Sequence, residues 1–204
     1  MDNTQLQSIK KGNLLTAKAL TMIGLMSALA FILMFVHLPV SYIGFLELEF
    51  SDVPALVCGL FYGPVAGVFV ELIKNLLHLM TSSTATVGEI ANFLISSSYV
   101  LGVSLVFWHS KSEKRLRNGF IVGTIALIIF GVVINYFITL PLYITLYFGG
   151  NESALYGMAS AMVPAIQDMK TLLILGFVPF NLVKGVLISV ATYYVWKAFR
   201  KFMM

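Results

Sequence analysis

Long apolar runs dominate this chain, and they limit its fold more strictly than any other feature of the sequence. A helix needs roughly 20 mostly apolar residues to cross a bilayer, because it rises about 1.5 Å per residue through a hydrocarbon core about 30 Å thick. Only 11% of the 204 residues are charged, whereas soluble domains carry about 25%. The sequence therefore predicts an all-α, polytopic membrane protein with a single membrane domain over residues 1–204. The six predicted spans are residues 14–36, 53–62, 64–80, 90–108, 119–148 and 171–196.

Three clusters of basic residues set the expected orientation. Lysine and arginine favour the cytoplasmic side of a membrane, so both termini and the loop between the fourth and fifth spans are predicted to be cytoplasmic. Residues 53–80 then have to cross twice, because a single crossing would place the basic loop after the fourth span outside the cell. The turn is predicted at Gly63–Pro64, since glycine suits a helix end and proline a helix start. The run Leu20–Leu38 is too long for a signal peptide and is interpreted as the first span. Ten of the thirteen basic residues lie in these clusters: Lys10, Lys11 and Lys18; Lys111, Lys114, Arg115 and Arg117; Lys197, Arg200 and Lys201.

The loop His37–Asp52 is predicted to be a lid. The span that follows it has ten residues, which rise only about 15 Å, so the loop is expected to dip into the protein. Non-helical backbone at membrane depth is tolerated where it is buried in protein or lines a cavity. The loop mixes aromatic and acidic side chains, a composition that suits a cover over a ligand with an aromatic body. The alternative is an ordinary outer loop.

Polar side chains recur inside the apolar spans. Ionisable groups are costly in a bilayer and usually mark function, although asparagine also joins neighbouring helices by hydrogen bonds. Four spans with one asparagine each, at outer or middle depth, favour a shared site. The residues are Asn75, Asn92, Asn135 and Asn181, accompanied by Lys74 and Lys184.

Helical spacing places several of these groups together. Asn181 and Lys184 lie at i and i+3 on one face, and Pro179 is expected to disturb the helix just outside them. Asn135 and Thr139 lie at i and i+4. The predicted ligand-binding residues are Asn181, Lys184 and Asn135, then Tyr42, Phe45, Leu46, Glu47 and Thr139, then Asn92 and Glu89.

The segment "VELIKNLLHLM" (Val70–Met80) carries four polar side chains on one helical face. Lys74 and Asn75 are predicted either to line the cavity or to brace the helices that do. Lys74 can instead form an ion pair with Glu71, three residues earlier. His78 is interpreted as a helix-end hydrogen-bonding group rather than a metal ligand.

Known catalytic signatures are absent from the sequence. It has no G-x-x-x-x-G-K-[ST] phosphate loop, no H-E-x-x-H, no G-x-S-x-G and no basic patch interleaved with aromatic residues. The single cysteine, Cys58, excludes an internal disulfide. The sequence therefore predicts binding or transport, with no metal, no cofactor and no nucleic acid; the alternative is a membrane-embedded enzyme acting on lipid.

Gly24 and Ala28 form a small-x-x-x-small pair in the first span, which permits close approach of another helix. The pair is predicted to be a surface for a partner protein; packing against a neighbouring span of the same chain is the alternative.

Three features of this sequence resemble features of one protein family. They are "MIGLMSALA" in the first span, the acidic segment "ELEFSDVPALVCGLFYGPVAG", and six compact spans. They resemble the substrate-binding S components of energy-coupling factor (ECF) vitamin transporters, ABC-type importers. The segments "GPVAGVFVELIKNLLHLM", "NYFITLPLY" and "PFNLVKG" are similar to riboflavin-specific members.

The resemblance implies a multi-pass protein of the cell membrane whose six helices enclose a cavity open to the outside, with His37–Asp52 as its gate. Riboflavin would be the transported ligand. The face with Gly24 and Ala28 would dock onto a transmembrane coupling protein driven by two ATPase subunits, within the lipid bilayer. The alternative within the family is an S component for another small vitamin or a nucleoside-like ligand.

Overall fold

The computed structural model describes residues 16–82 and 84–203. Helices make up nearly all of the regular structure, and one short hairpin interrupts them. In chain order the elements are α1 (Ala17–Met34), β1 (His37–Tyr42), β2 (Leu46–Glu49), α2 (Asp52–Tyr62), α3 (Pro64–His78), α4 (Val87–His109), α5 (Arg115–Ile134), a π-helical segment (Asn135–Thr139), α6 (Leu140–Tyr147), α7 (Glu152–Ser160), α8 (Met169–Thr171), a second π-helical segment (Leu172–Phe177) and α9 (Val178–Met203).

The predicted helical membrane fold is confirmed. Among the described residues, five helical stretches are long and apolar enough to cross a membrane, and α2 is apolar but shorter. The count of six spans and the cytoplasmic position of the termini stay predictions. Lys10 and Lys11, which belong to the N-terminal basic cluster, lie outside the described residues.

The predicted turn at Gly63–Pro64 is confirmed. Gly63 has φ +100° at the end of α2, and its N–H donates to the Gly59 carbonyl over 3.0 Å. A positive φ of this kind is accessible mainly to glycine. Pro64 is the first residue of α3, where its missing N–H costs no intrahelical bond. The two helices therefore reverse direction without a connecting loop.

Residues His37–Glu49 form a two-stranded antiparallel hairpin, which the sequence analysis did not predict. Its register pairs Ser41 with Glu47 and Tyr42 with Leu46. The turn contains Ile43 at φ +50°, a conformation that is strained for a β-branched residue. The Ile43 side chain is fully buried in an apolar cluster with Leu140, Leu155, Leu172 and Phe177. Burial of that side chain offsets the strain and holds the hairpin against α6, α7 and the second π segment.

Both π-helical segments are followed closely by a proline, Pro141 in α6 and Pro179 in α9. Proline has no N–H to donate to the carbonyl four residues earlier. For Pro179 that carbonyl belongs to Leu175, and the Tyr42 hydroxyl of β1 donates to it over 2.8 Å. The disturbance predicted at Pro179 therefore takes the form of a π segment, and one of its carbonyls holds the hairpin.

A second apolar cluster joins α1, α2, α3, α4, α5 and α9. Tyr99 of α4 lies at its centre and is fully buried. Its hydroxyl donates to the Gly185 carbonyl over 2.8 Å and lies 2.7 Å from the Ser189 hydroxyl. These contacts fix α9, which carries Asn181 and Lys184, against α4.

The segment between α6 and α9 contains the short helix α7. Asn151 caps its first turn through the Ala154 N–H. Further along, the Asp168 carboxylate accepts hydrogen bonds from the Thr171 N–H and hydroxyl at the start of α8, and these bonds hold the pKa of the Asp168 carboxyl below its ordinary value.

Candidate ligand-binding cavity

The hairpin lines a cavity of about 290 Å³ whose other walls are α1, α3, α4, the first π segment, α6, α7, the second π segment and α9. Many of the side chains that line it are apolar or aromatic, as is usual for sites that bind organic ligands. The cavity brings together residues from the hairpin and from helices that are distant in the chain. The predicted site residues in its wall are Phe45, Leu46, Glu47, Asn92, Asn135, Thr139, Asn181 and Lys184.

The three asparagines of the wall differ in how their amides are used. The Asn135 side-chain N–H donates to the Gly131 carbonyl over 2.6 Å, and the Asn92 amide oxygen accepts from the Ser96 hydroxyl over 2.8 Å. Each keeps further donor or acceptor capacity, since an amide has two N–H groups and an oxygen with two lone pairs. Within residues 16–82 and 84–203, the Asn181 amide has no hydrogen-bond partner although only 5% of that residue is exposed. Asn181 lines the cavity, so its N–H groups and its oxygen are available to a ligand there.

Aromatic side chains supply flat apolar surface. Phe45 from the hairpin faces Phe177 with ring centroids 6.1 Å apart, and Tyr143 and Phe180 add to the wall. Phe177, Asn181 and Lys184 follow the spacing i, i+4, i+7, so helical periodicity could have identified Phe177 from the sequence. The cavity therefore combines aromatic surface with hydrogen-bonding groups on α9.

Lys184 lines the cavity and has two carboxylates beside it. Its Nζ is 3.1 Å from Asp52 Oδ2 and 3.7 Å from Glu49 Oε1. Glu49 ends β2 and Asp52 begins α2, so this lysine connects α9 to both elements. No ionic partner of Lys184 was predicted from the sequence.

Lys74 is fully buried beside the same aspartate. Its Nζ lies 2.6 Å from Asp52 Oδ1 and 2.8 Å from Glu71 Oε2, and it donates to the Ser51 hydroxyl over 2.7 Å. The ion pair with Glu71 that the spacing allowed is therefore present, and Asp52 joins it. We call Glu49, Asp52, Glu71, Lys74 and Lys184 the charge cluster; all are buried, and it contains three carboxylates and two ammonium groups.

Four predicted site residues do not line the cavity. Lys74 lies in the charge cluster, and Tyr42 bonds to the Leu175 carbonyl. Asn75 donates to the Glu71 carbonyl and faces a separate apolar groove between α3 and α4. Glu89 borders that groove and accepts from the Thr84 hydroxyl, with its other oxygen 2.9 Å from His78 Nδ1. These residues brace the walls, and the hydrogen-bonding role predicted for His78 is observed.

No three His, Cys, Asp or Glu side chains of the described residues are arranged to hold a metal ion. On the outer surface of α1, Gly24 and Ala28 are both exposed, and a Cβ added at Gly24 would have no neighbour within 4 Å. Among residues 16–82 and 84–203, the internal packing considered for this pair is therefore not observed.

Comparison with known proteins assigns the chain to a family. Residues 18–196 match the family described as "ECF transporter, substrate-specific component". The chain is 34% identical over 195 residues to "Riboflavin transporter RibU" of Staphylococcus aureus, covering 95% of this chain and 96% of the relative. It is 33% identical over 179 residues to "Riboflavin transporter FmnP" of Bacillus subtilis, covering 85% and 87%.

A solved structure titled "Structure and mechanism of the S component of a bacterial ECF transporter" matches with a TM-score of 0.69 and 34% identity, over 91% of this chain and 97% of that one. The relatives are transporter subunits, not enzymes. The helical fold, the cavity under the hairpin and these similarities agree, and the chain belongs to the substrate-specific S components of ECF transporters.

Proposed function

We propose that this chain binds riboflavin at the outer side of the cell membrane and delivers it to an ECF transporter for ATP-driven uptake. The observation that carries the proposal is the cavity, in which the unpaired Asn181 amide and the Lys184 ammonium face the aromatic side chains of Phe45 and Phe177. Relatives named as riboflavin transporters, at 33% and 34% identity over most of the chain, support the same ligand.

The chemistry of the wall suits a flavin. Its ring system is flat and largely apolar, and one edge is an imide with N–H and C=O groups. An asparagine amide can both donate to and accept from such an edge, which is the role proposed for Asn181 and Asn135. Lys184 is proposed to donate to a ring carbonyl or nitrogen. Glu47 and Thr139, which also line the cavity, are proposed to meet the hydroxyls of the ribityl chain.

The exposed small residues of α1 support a docking role. Close helix approach needs small side chains, and Gly24 and Ala28 are both exposed in the described part of the chain. The proposed partner is a transmembrane coupling protein with two ATPase subunits, because the sequence contains no phosphate loop of its own. Vesicles with this chain alone are expected to bind riboflavin without accumulating it against a gradient; accumulation would contradict the need for partners.

The purified protein tests the ligand directly. We expect a flavin absorption spectrum after extraction in detergent, and saturable quenching of riboflavin fluorescence by protein from which the flavin has been removed. Asn181→Ala and Lys184→Ala should each weaken binding tenfold to hundredfold, because an unpaired buried polar group costs about 1–3 kcal/mol. Asn118→Ala and Lys170→Ala, which remove the same groups away from the cavity, should leave affinity unchanged. Wild-type protein that binds no riboflavin would overturn the proposal.

A further inference from the structure

We propose that Asp52 is a positioning residue for the ligand, acting through Lys184 although it does not itself line the cavity. The inference rests on the proposed function, since it concerns how Lys184 meets riboflavin. Asp52 is the first residue of α2 and is fully buried. Its two carboxylate oxygens face different lysines: Oδ1 lies 2.6 Å from Lys74 Nζ, and Oδ2 lies 3.1 Å from Lys184 Nζ.

This arrangement restricts where the Lys184 ammonium can go. A lysine side chain is long and flexible, and its charged end can take up many positions unless a partner holds it. Asp52 cannot follow Lys184 freely, because Lys74 donates a hydrogen bond to its carboxylate and its backbone is the first residue of α2. Glu49, the other carboxylate near Lys184, is farther away at 3.7 Å and belongs to the hairpin. The anchored carboxylate is therefore the one that fixes the ammonium at the cavity wall.

The charge balance of the cluster makes the idea testable without unfolding the protein. Buried ions are costly, and an uncompensated buried charge is worse than a balanced set. With Asp52→Asn the charge cluster falls from three carboxylates and two ammonium groups to two of each. Lys74 keeps Glu71 at 2.8 Å, and Lys184 keeps only the more distant Glu49. The variant is expected to fold, with the Lys184 ammonium drawn towards the hairpin.

Glu71→Gln is the matched control. It also removes one buried carboxylate and leaves two carboxylates with two ammonium groups. Glu71 forms an ion pair with Lys74 but none with Lys184. If the loss of a buried carboxylate acts through the fold as a whole, both variants lose riboflavin affinity alike. If Asp52 acts by positioning Lys184, only the Asp52 variant loses affinity.

The experiment is a double-mutant cycle on riboflavin affinity, with the ligand-free melting temperature measured for every variant. Asp52→Asn should weaken binding about tenfold, the size expected for one displaced hydrogen bond from a charged group. In a Lys184→Met background the same change should alter affinity by no more than about twofold, since residues that act through one another are not additive. Glu71→Gln should bind like wild type.

Two results would overturn the inference: equal loss of affinity in Asp52→Asn and Glu71→Gln, or an undiminished effect of Asp52→Asn when Lys184 is already replaced. If Lys184→Met does not fold, the matched pair alone decides. If Asp52→Asn does not fold, Asp52→Glu replaces it, because it keeps the charge and moves the oxygens. Absence of riboflavin binding by the wild-type protein would instead refute the proposed function.

Discussion

Replacing Gly131 with alanine should separate ligand affinity from fold stability. Gly131 is buried on α5 and faces α9. A methyl group at this position would overlap the Asn181 amide nitrogen and lie 3.1 Å from its Cγ. The amide is the end of a side chain and can rotate away, so the helices need not move. Rotation takes the unpaired amide out of the position from which it faces the cavity.

The two expected effects have opposite signs. Alanine is favoured over glycine within a helix by about 1 kcal/mol, so the ligand-free protein should be at least as stable as wild type. Loss of the Asn181 contact should cost about 1–3 kcal/mol of binding free energy, which is roughly tenfold to hundredfold in affinity.

The melting temperature of the ligand-free protein measures fold stability, and titration with riboflavin measures affinity. The matched control is Gly157→Ala on α7, where an added Cβ meets nothing within 4 Å; it should leave affinity unchanged. Wild-type affinity in Gly131→Ala would refute the reasoning, because it would mean that the position of the Asn181 amide is irrelevant to the ligand. A strongly lowered melting temperature would show that the helices had moved to make room for the methyl group, and that the amide had not simply rotated away.

Other outcomes follow from the hairpin, the outer surface of α1 and the charges of the wall. Tyr42→Phe removes the hydrogen bond to the Leu175 carbonyl, worth about 1 kcal/mol, so riboflavin should dissociate roughly fivefold faster; an unchanged dissociation rate would contradict a holding role for this bond. Gly24→Leu should leave riboflavin binding intact and abolish energised uptake with the partner subunits, and uptake at the wild-type rate would exclude this face as the docking surface. Flavin mononucleotide should bind at least about tenfold more weakly than riboflavin, because Lys184 is already paired with carboxylates and no arginine lines the cavity in the described part of the chain. Titration of both flavins at low and high salt checks this, since screening reduces a long-range repulsion but not the cost of desolvating the phosphate; equal affinities would refute it.

Helical periodicity predicted much of the architecture because it reports which side chains share a face. Asn181 and Lys184 were placed together from their spacing, and the turn at Gly63–Pro64 from the conformations those residues favour. Periodicity does not report which face of another helix lies opposite. The contacts of Asp52 with both lysines join parts of the chain that are distant in sequence. Each of these parts is mostly apolar, and its own sequence does not indicate which charged residue of another part it contacts.

The hairpin and the π segments were not predicted from the sequence, for related reasons. Strands as short as His37–Tyr42 and Leu46–Glu49 have too few residues for a clear alternation, and they are stabilised by burial of Ile43 against α6 and α7. The π segments arise where a helix adapts to a proline and to its neighbours. Only the prolines were visible in the sequence, so the disturbed region near Pro179 was predicted but its geometry was not.

The bond from Tyr42 to the Leu175 carbonyl has a consequence for how this protein tolerates mutation. A main-chain acceptor is present whatever amino acid occupies position 175, so replacement of that leucine leaves the bond chemically possible. The sensitive partner is instead Pro179, because any other residue there supplies an N–H that competes with Tyr42 for the same carbonyl. Variation among relatives should therefore couple positions 42 and 179, and leave position 175 free to follow the packing around it.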